Sequence, residues 1–443
     1  MNSKYKETEI GLVPEAWELV SLGDLIAIKH GFAFKGKFFS EEETQHILLT
    51  PGNFKIGGGF NDSKFKYYTG EIPENYILKK DDIIVTMTDL SKEGDTLGYP
   101  AKIPFSHDKK YLHNQRLGLL KFKSKEVTPE FLYWKLRNHD YRHLVLATAS
   151  GTTVKHTSPS RILKIEIALP PLYEQEKIAK ILSDIEQKIE INQKMNRTLE
   201  GIGQAIFKHW FVHYEFPNEE RKPYKSSGGE MVDSELGEIP KGWEVKSLDK
   251  IANYLNGLAL QKFPPEKDDY LPVIKIRELK QGITAASDKA SSKIDSNYII
   301  DDGDVIFSWS GSLEVVLWCG GKGALNQHLF KVSSEKYPKW FYYYWTKYHL
   351  ETFRQTAADK TTTMGHIKRK DLSDALVVAP SNELFSKFNK IMTPIIDLII
   401  NNNVESRNLS KIRDSLLPKI MSGKIRVINI KKKKSMKKSH SVK

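Results

Sequence analysis

Two polar loops carry the residues best suited to holding phosphate and reading base edges. The first, TASGTTVKHTSPSR at 148–161, offers Thr152, Thr153, Lys155 and His156. The second, TAADKTTTMGHIKRK at 356–370, offers Thr362, Thr363, His366, Lys368, Arg369 and Lys370. Hydroxyls, cationic side chains and main-chain N–H groups are the usual partners of phosphate oxygens. Asn114-Gln115-Arg116 and Asn326-Gln327-His328 add amides, a guanidinium and an imidazole. Amides can pair with adenine, and Arg with guanine. Such residues can equally be ordinary loop polarity. For Asn114 and Asn326 the favoured use is to satisfy a buried main-chain group. The two loops are expected to touch nucleic acid.

The spacings that carry covalent chemistry are missing. GFAFKGKF, from Gly31 to Phe38, matches the first seven positions of a phosphate-binding loop. Phe38 stands where a hydroxyl should hold magnesium, and no strand–loop–helix pattern surrounds it, so it reads as a chance match. There is no G-x-G-x-x-G, no H-E-x-x-H and no Asn/Asp-Pro-Pro-aromatic tetrapeptide. The single Cys319 rules out an internal disulfide and a cysteine zinc cluster. Beside Leu317 and Trp318 it reads as a buried hydrophobe, although a nucleophilic role stays open. The chain is expected to bind and not to catalyse.

At 443 residues, with 40% apolar and 11% aromatic content, the chain has room for two or three cored domains. No run approaches the roughly 18 apolar residues of a membrane span. The opening MNSKYKETEI lacks an apolar signal core. A cytoplasmic protein without membrane contact is expected. Net charge is +13, but residues 431–443 hold seven Lys and no acid, so the body is only mildly basic. The tail reads as a disordered solvating arm with weak phosphate affinity.

The elements that must position these loops come in pairs. Ile178, Leu182, Ile185, Ile189, Asn192, Asn196 and Leu199 alternate steps of four and three, the seam of a coiled-coil helix. The stripe recurs as Phe388, Met392, Ile395, Ile399, Asn402, Ser406 and Leu409, with Pro394 expected to kink or restart that helix. The two seams are expected to zip together antiparallel, with globular modules at the two ends of a rod. The opening also repeats. Glu9, Gly11, Pro14, Trp17, Ser21, Leu22 and Gly31 return as Glu235, Gly237, Pro240, Trp243, Ser247, Leu248 and Gly257. Both Trp residues read as core anchors. Asn75-Tyr76-Ile77, Asn114-Gln115 and His156 return as Asn297-Tyr298-Ile299, Asn326-Gln327 and His366. The chain is therefore a tandem duplication. Residues 35–74 and 261–296 share little, as two modules reading different targets would. Within each module short strands (83–87, 117–122, 271–276, 305–309) precede a helix at 129–138 or 338–349.

Two divergent modules that each open with Gly-x-[Ile/Val]-Pro-x-x-Trp-Glu and close in a Pro-terminated strand and a long helix resemble the specificity subunits of type I restriction-modification systems. PPLYEQEKI (170–178) is similar to that family's entry into its first conserved helix. FKHWF (207–211) and LLPKIMSG (416–423) resemble the two helix exits. Pro380-Ser-Asn-Glu-Leu-Phe385 departs from the pattern by losing the Glu-Gln pair.

The resemblance implies an α+β chain of two duplicated target recognition domains separated by two long helices forming an antiparallel coiled coil. The expected boundaries are 1–169 and 233–380 for the recognition domains, 170–216 and 381–427 for the helices, 217–232 for a linker and 428–443 for the tail. It implies double-stranded DNA as ligand, two modification subunits docked on the paired helices, and restriction subunits. S-adenosylmethionine, ATP and magnesium would belong to those partners and none to this chain. The rival reading is a coiled-coil scaffold with duplicated protein-binding modules and no DNA role. A steep salt dependence of DNA binding would separate the two.

Overall fold

The structure, a computed structural model, describes residues 4–359 and 365–427. Thr362, Thr363 and the basic tail lie outside the described residues. The chain divides into two compact units. One runs to Glu186 and resumes at Lys411; the other is Gln187–Ser410. Both divisions fall inside long helices, Leu172–Phe207 and Asn382–Met421. Each unit therefore owns one globular module and a stretch of both helices.

The modules are built alike. In the first, an antiparallel sheet runs in the order Pro100–Lys102, Ile83–Thr86, Leu117–Phe122, Ile26–His30. In the second the matching order is Glu314–Leu317, Val305–Ser308, Leu329–Ser333, Asn253–Asn256. Each module adds a second sheet with one parallel pair: His46–Leu48 beside Lys110–Leu112, and Tyr270–Ile274 beside Gly323–Leu325. Each opens with a hairpin, Tyr5–Thr8 with Gly11–Pro14 or Met231–Ser234 with Gly237–Pro240. The strand that leads into the long helix pairs back with the strand after the Trp. Glu166–Leu169 lies on Glu18–Ser21, and Leu376–Ala379 on Glu244–Ser247.

Trp17 and Trp243 are both buried, and each is met by a helix exit. Leu417, Ile420 and Met421 share a core with Trp17; Phe207, Trp210 and Phe211 share one with Trp243. The lost Glu-Gln pair acquires a reason here. Glu174 is fully buried; it accepts from Trp17 Nε1 at 3.0 Å and from Arg426 at 2.8 and 2.9 Å. At the same places in the other unit stand Leu384 and Phe216, and Phe216 stacks on Trp243 at 5.0 Å. Gln175 bonds to Thr128, Glu126 and Pro170, whereas Phe385 packs on Tyr337, Trp340 and Phe341. An ionic and amide network in one copy is an aromatic cluster in the other.

The helix seams hold as expected. Ile178, Leu182, Ile189, Asn192, Phe388, Met392, Ile399 and Asn402 are buried. Ile185, Asn196, Leu199, Ile395, Ser406 and Leu409 are half-buried. The helices run antiparallel in each unit. Glu186 meets Arg413 at 2.5 Å and Glu174 meets Arg426 in one; in the other Asn192 meets Glu405 at 2.8 Å and Asn196 meets Asn403 at 2.9 Å. The expected restart at Pro394 does not occur. The residue is exposed inside one unbroken helix, and burial of Met392, Ile396 and Ile399 around it outweighs the one main-chain bond a proline removes.

Three other expectations need correction. The helix foreseen at 129–138 is two, Pro129–Lys135 and His139–Ala147, because Asn138 leaves helical geometry to become the N-cap of the second. The loop at 148–161 contains a strand pair through Lys155–His156 and a short helix, Pro159–Leu163, capped by Ser158. Residues 356–359 of the other loop belong to the helix Leu350–Asp359, and Arg369–Asp374 is helical. The linker expected at 217–232 folds on itself. Asn218 accepts from the N–H of Glu220 and Lys222, and Tyr224 stacks on Phe216 at 4.6 Å. Among the described residues no helix is long and apolar enough to cross a membrane.

Candidate nucleic-acid interface

In the first unit three distant pieces of chain converge on Met87. Its N–H donates to Arg116 O at 2.9 Å, and its carbonyl accepts from Thr157 N at 3.0 Å. One residue on, Thr88–Asp89 pairs antiparallel with Lys155–His156, and Thr88 Oγ1 lies 3.2 Å from His156 Nδ1. Arg116 and His156 thus flank one strand, both exposed. Thr152 and Thr153 are exposed on the turn that Ser150 and His156 close by exchanging main-chain hydrogen bonds. Asp89 fixes the loop that follows, accepting from Ser91 N and from Thr96 N and Oγ1 at 2.5–2.7 Å. Burial would raise its carboxyl pKa, but these hydrogen bonds together hold it below the usual carboxylate value. Leu90, 63% exposed, and Lys92 stand on that braced loop.

The second unit repeats the construction with other side chains. Trp309 N donates to His328 O, and Trp309 O accepts from Ile367 N at 3.1 Å. Ser310 bridges to His366, and its hydroxyl sits 3.1 Å from His328 Nδ1. The Trp309 ring lies about 6 Å from both His328 and His366. Lys368 and Lys370 are exposed. Arg369 is committed in part to its own unit, donating to Tyr254 O at 3.3 Å and lying over Phe330.

Asn114 and Asn326 turn out to shape the turn. Each side-chain oxygen accepts a main-chain N–H two residues on, from Arg116 at 3.0 Å and His328 at 3.3 Å. Their own backbones pack against Gly31 and Gly257. A Cβ on those glycines would fall 2.0 Å from Asn114 O or 2.3 Å from Asn326 O. The repeated Gly and the repeated Asn are two sides of one contact. The structure brings Arg116 and His156 beside Thr88, and His366 beside Trp309 and Ser310; Thr88, Trp309 and Ser310 were not singled out from the sequence, since pairing across some sixty to seventy residues leaves no local signal.

The segment Gly31–Phe38 is irregular and ends in one short turn, Gly36–Phe38, with no helix after it. The N–H groups of Phe32, Phe34 and Phe38 are already bonded to His113, Phe32 and Lys35, and Lys37 lies over the Phe38 ring. Cys319 is half-buried, and burial pushes its thiol up to about 11. Among the described residues no three His, Cys, Asp or Glu groups could hold a metal together.

Known proteins are similar to this chain in sequence and fold. The family described as the type I restriction modification DNA specificity domain matches twice, at residues 14–201 and 240–409. The chain is 25% identical over 441 residues to the type I restriction enzyme MjaIX specificity subunit of Methanocaldococcus jannaschii, covering 96% of this chain and 97% of that protein. It is 23% identical to the HindI specificity subunit of Haemophilus influenzae, over 68% of this chain and 78% of the other. The crystal structure of a type I restriction-modification S subunit from M. genitalium superposes with a TM-score of 0.54 at 17% identity, over 95% of this chain and 99% of that one. The duplicated modules, the paired helices and the two family matches agree: this chain belongs to the type I restriction modification DNA specificity family.

Proposed function

We propose that this chain is the sequence-reading subunit of a type I restriction-modification enzyme. Each unit reads one half of a split, asymmetric site in double-stranded DNA. Two modification subunits dock on the chain, bring S-adenosylmethionine and methylate adenine. Restriction subunits use ATP and magnesium. The chain transfers no methyl group, holds no cofactor of its own, and works in the cytoplasm.

One observation carries this reading. The same edge occurs twice with its scaffold and one exposed His kept and its other side chains changed: Met87 and Arg116 beside His156, Trp309 and His328 beside His366. A kept frame with altered donors is what two different half-sites require. The test is the chain assembled with its modification subunit on its methylated motif. Binding should weaken steeply with salt as phosphate contacts release counterions. Arg116→Ala should relax one half-site by about 1–3 kcal/mol if Arg116 reads a guanine, leaving the other half unchanged. Salt-independent binding, or a contiguous motif, would overturn the reading.

A further inference from the structure

Each unit carries a groove in the same place, bounded by the opening hairpin, the helix that follows the module's first helical turns, the strand before the long helix, and the exit of the facing long helix. In the first unit it encloses about 390 Å³ and is lined by Leu12, Lys135, Leu144, Ile167 and Met421 among others. In the second it encloses about 830 Å³ and is lined by Leu236, Trp345, Tyr348, Val378 and Phe211. None of these residues belongs to the edges assigned to DNA. The modules have diverged in side chains and loop lengths, yet both keep this concavity.

Three features point to an occupant. The rims are apolar and open: Leu12 is 68% exposed, and Leu144, Leu236 and Tyr348 are 40–48% exposed. Each floor holds a buried donor with capacity to spare. Lys135 is 7% exposed, and its ammonium has one acceptor, Met421 O at 3.2 Å. Trp345, in the corresponding place against Phe207 and Phe211, is 3% exposed, and its indole N–H has no partner. Such groups cost stability unless something accepts from them. Carboxylates outnumber lysines in both grooves: Glu9, Asp140 and Glu166 against Lys135, and Glu238, Asp371 and Asp374 against Lys225. His139 and His143 in the first groove and His349 in the second add only titratable imidazoles.

We infer that each groove docks the same amphipathic, basic segment of the modification subunit, one copy per unit. Its apolar side chains cover Leu12 and Leu144 or Leu236 and Tyr348. Its carbonyl oxygens accept from Lys135 or Trp345, and its Lys or Arg side chains face the acidic rim. Two copies of one partner need two equivalent surfaces, and an internally duplicated chain supplies them where its repeats keep the same shape. The inference rests on the proposed function and locates the docking surface in the modules as well as on the helices.

The test uses the full chain and purified modification subunit, with bound copies counted by native mass spectrometry. Leu12→Lys with Leu144→Lys should leave one bound copy, Leu236→Lys with Tyr348→Lys the other, and all four changes none under conditions that saturate the unaltered chain. Loss of affinity at each groove should be tenfold or more. On the unaltered chain, hydrogen exchange in the hairpins Tyr5–Pro14 and Met231–Pro240 should slow when the subunit is added. That readout stands even if the substituted chains fold poorly. Two copies bound with unchanged affinity by the fourfold variant, or hairpins that exchange at the same rate in the complex, overturn the inference. Failure of the unaltered chain to bind the modification subunit at all counts instead against the proposed function.

Discussion

The pair Glu174 and Arg426 shows how much a single buried residue depends on its partners. Both contact Trp17, and Glu174 is fully buried. Glu174→Leu alone strands a guanidinium and an indole N–H, and breaking a buried pair this way costs about 3–5 kcal/mol. Joined to Arg426→Phe it removes the stranded guanidinium and recreates what the other unit already has, Leu384 against the core and Phe216 stacked on a Trp243 whose indole N–H has no partner, so the double change should recover the guanidinium's share of the loss. Thermal unfolding of the three variants checks this; equal destabilisation by the single and double changes would contradict it. Lys135 offers a pH test. Burial pushes its pKa from 10.5 to about 8, and Asp140 offsets only part of that. A lowered lysine pKa means that folding is penalised where the group is charged in both states, below pH 8. The penalty fades as pH rises from 8 to 10.5. At about 1.4 kcal/mol per pH unit it amounts to about 3 kcal/mol. Lys135→Met should therefore stabilise the unit at pH 7, with the gain shrinking towards pH 10.5; a gain independent of pH would show that charge is not the cause. At this scale the sequence displayed the repeated Trp, Gly and Asn residues but not their reasons. The contact of Gly31 with Asn114 bridges more than eighty residues and surfaces only as two repeated letters.

Among the elements, the long helices were the most legible, because a seam of alternating fours and threes is a local signal with few competing explanations. What periodicity could not display was the use of its polar step. Asn192 and Asn402 do not pair side chain to side chain. Asn192 Nδ2 donates to Glu405 at 2.8 Å and Asn402 O at 3.4 Å, while Asn402 Nδ2 donates to Asn196. Asn192 Oδ1 has no partner. Asn192→Leu, nearly the same shape, should thus raise the melting temperature by a few degrees, since an unsatisfied buried carbonyl costs about 1–3 kcal/mol. The displaced Glu405 is half-exposed and can turn to water. A fall in melting temperature would mean that the amide ladder contributes more than register. The short strand pair at Lys155–His156 was illegible for the opposite reason: two residues carry no period, and the partner strand is remote in sequence.

Across the whole molecule the duplication was plain from recurring residues, and it predicted the matching sheets. The division of the chain inside its helices was not plain, since it depends on which core each helix turn joins. The claim with most at stake is that the two units read independently. Residues 233–379 should then be exchangeable for the same segment of a relative, because the edge built on Trp309, His328 and His366 lies within them. The deciding measurement is the methylated motif of DNA from cells that carry this chimera with its modification subunit. One half-site should change and the other should be retained. A motif in which both halves change together, or neither does, would contradict it.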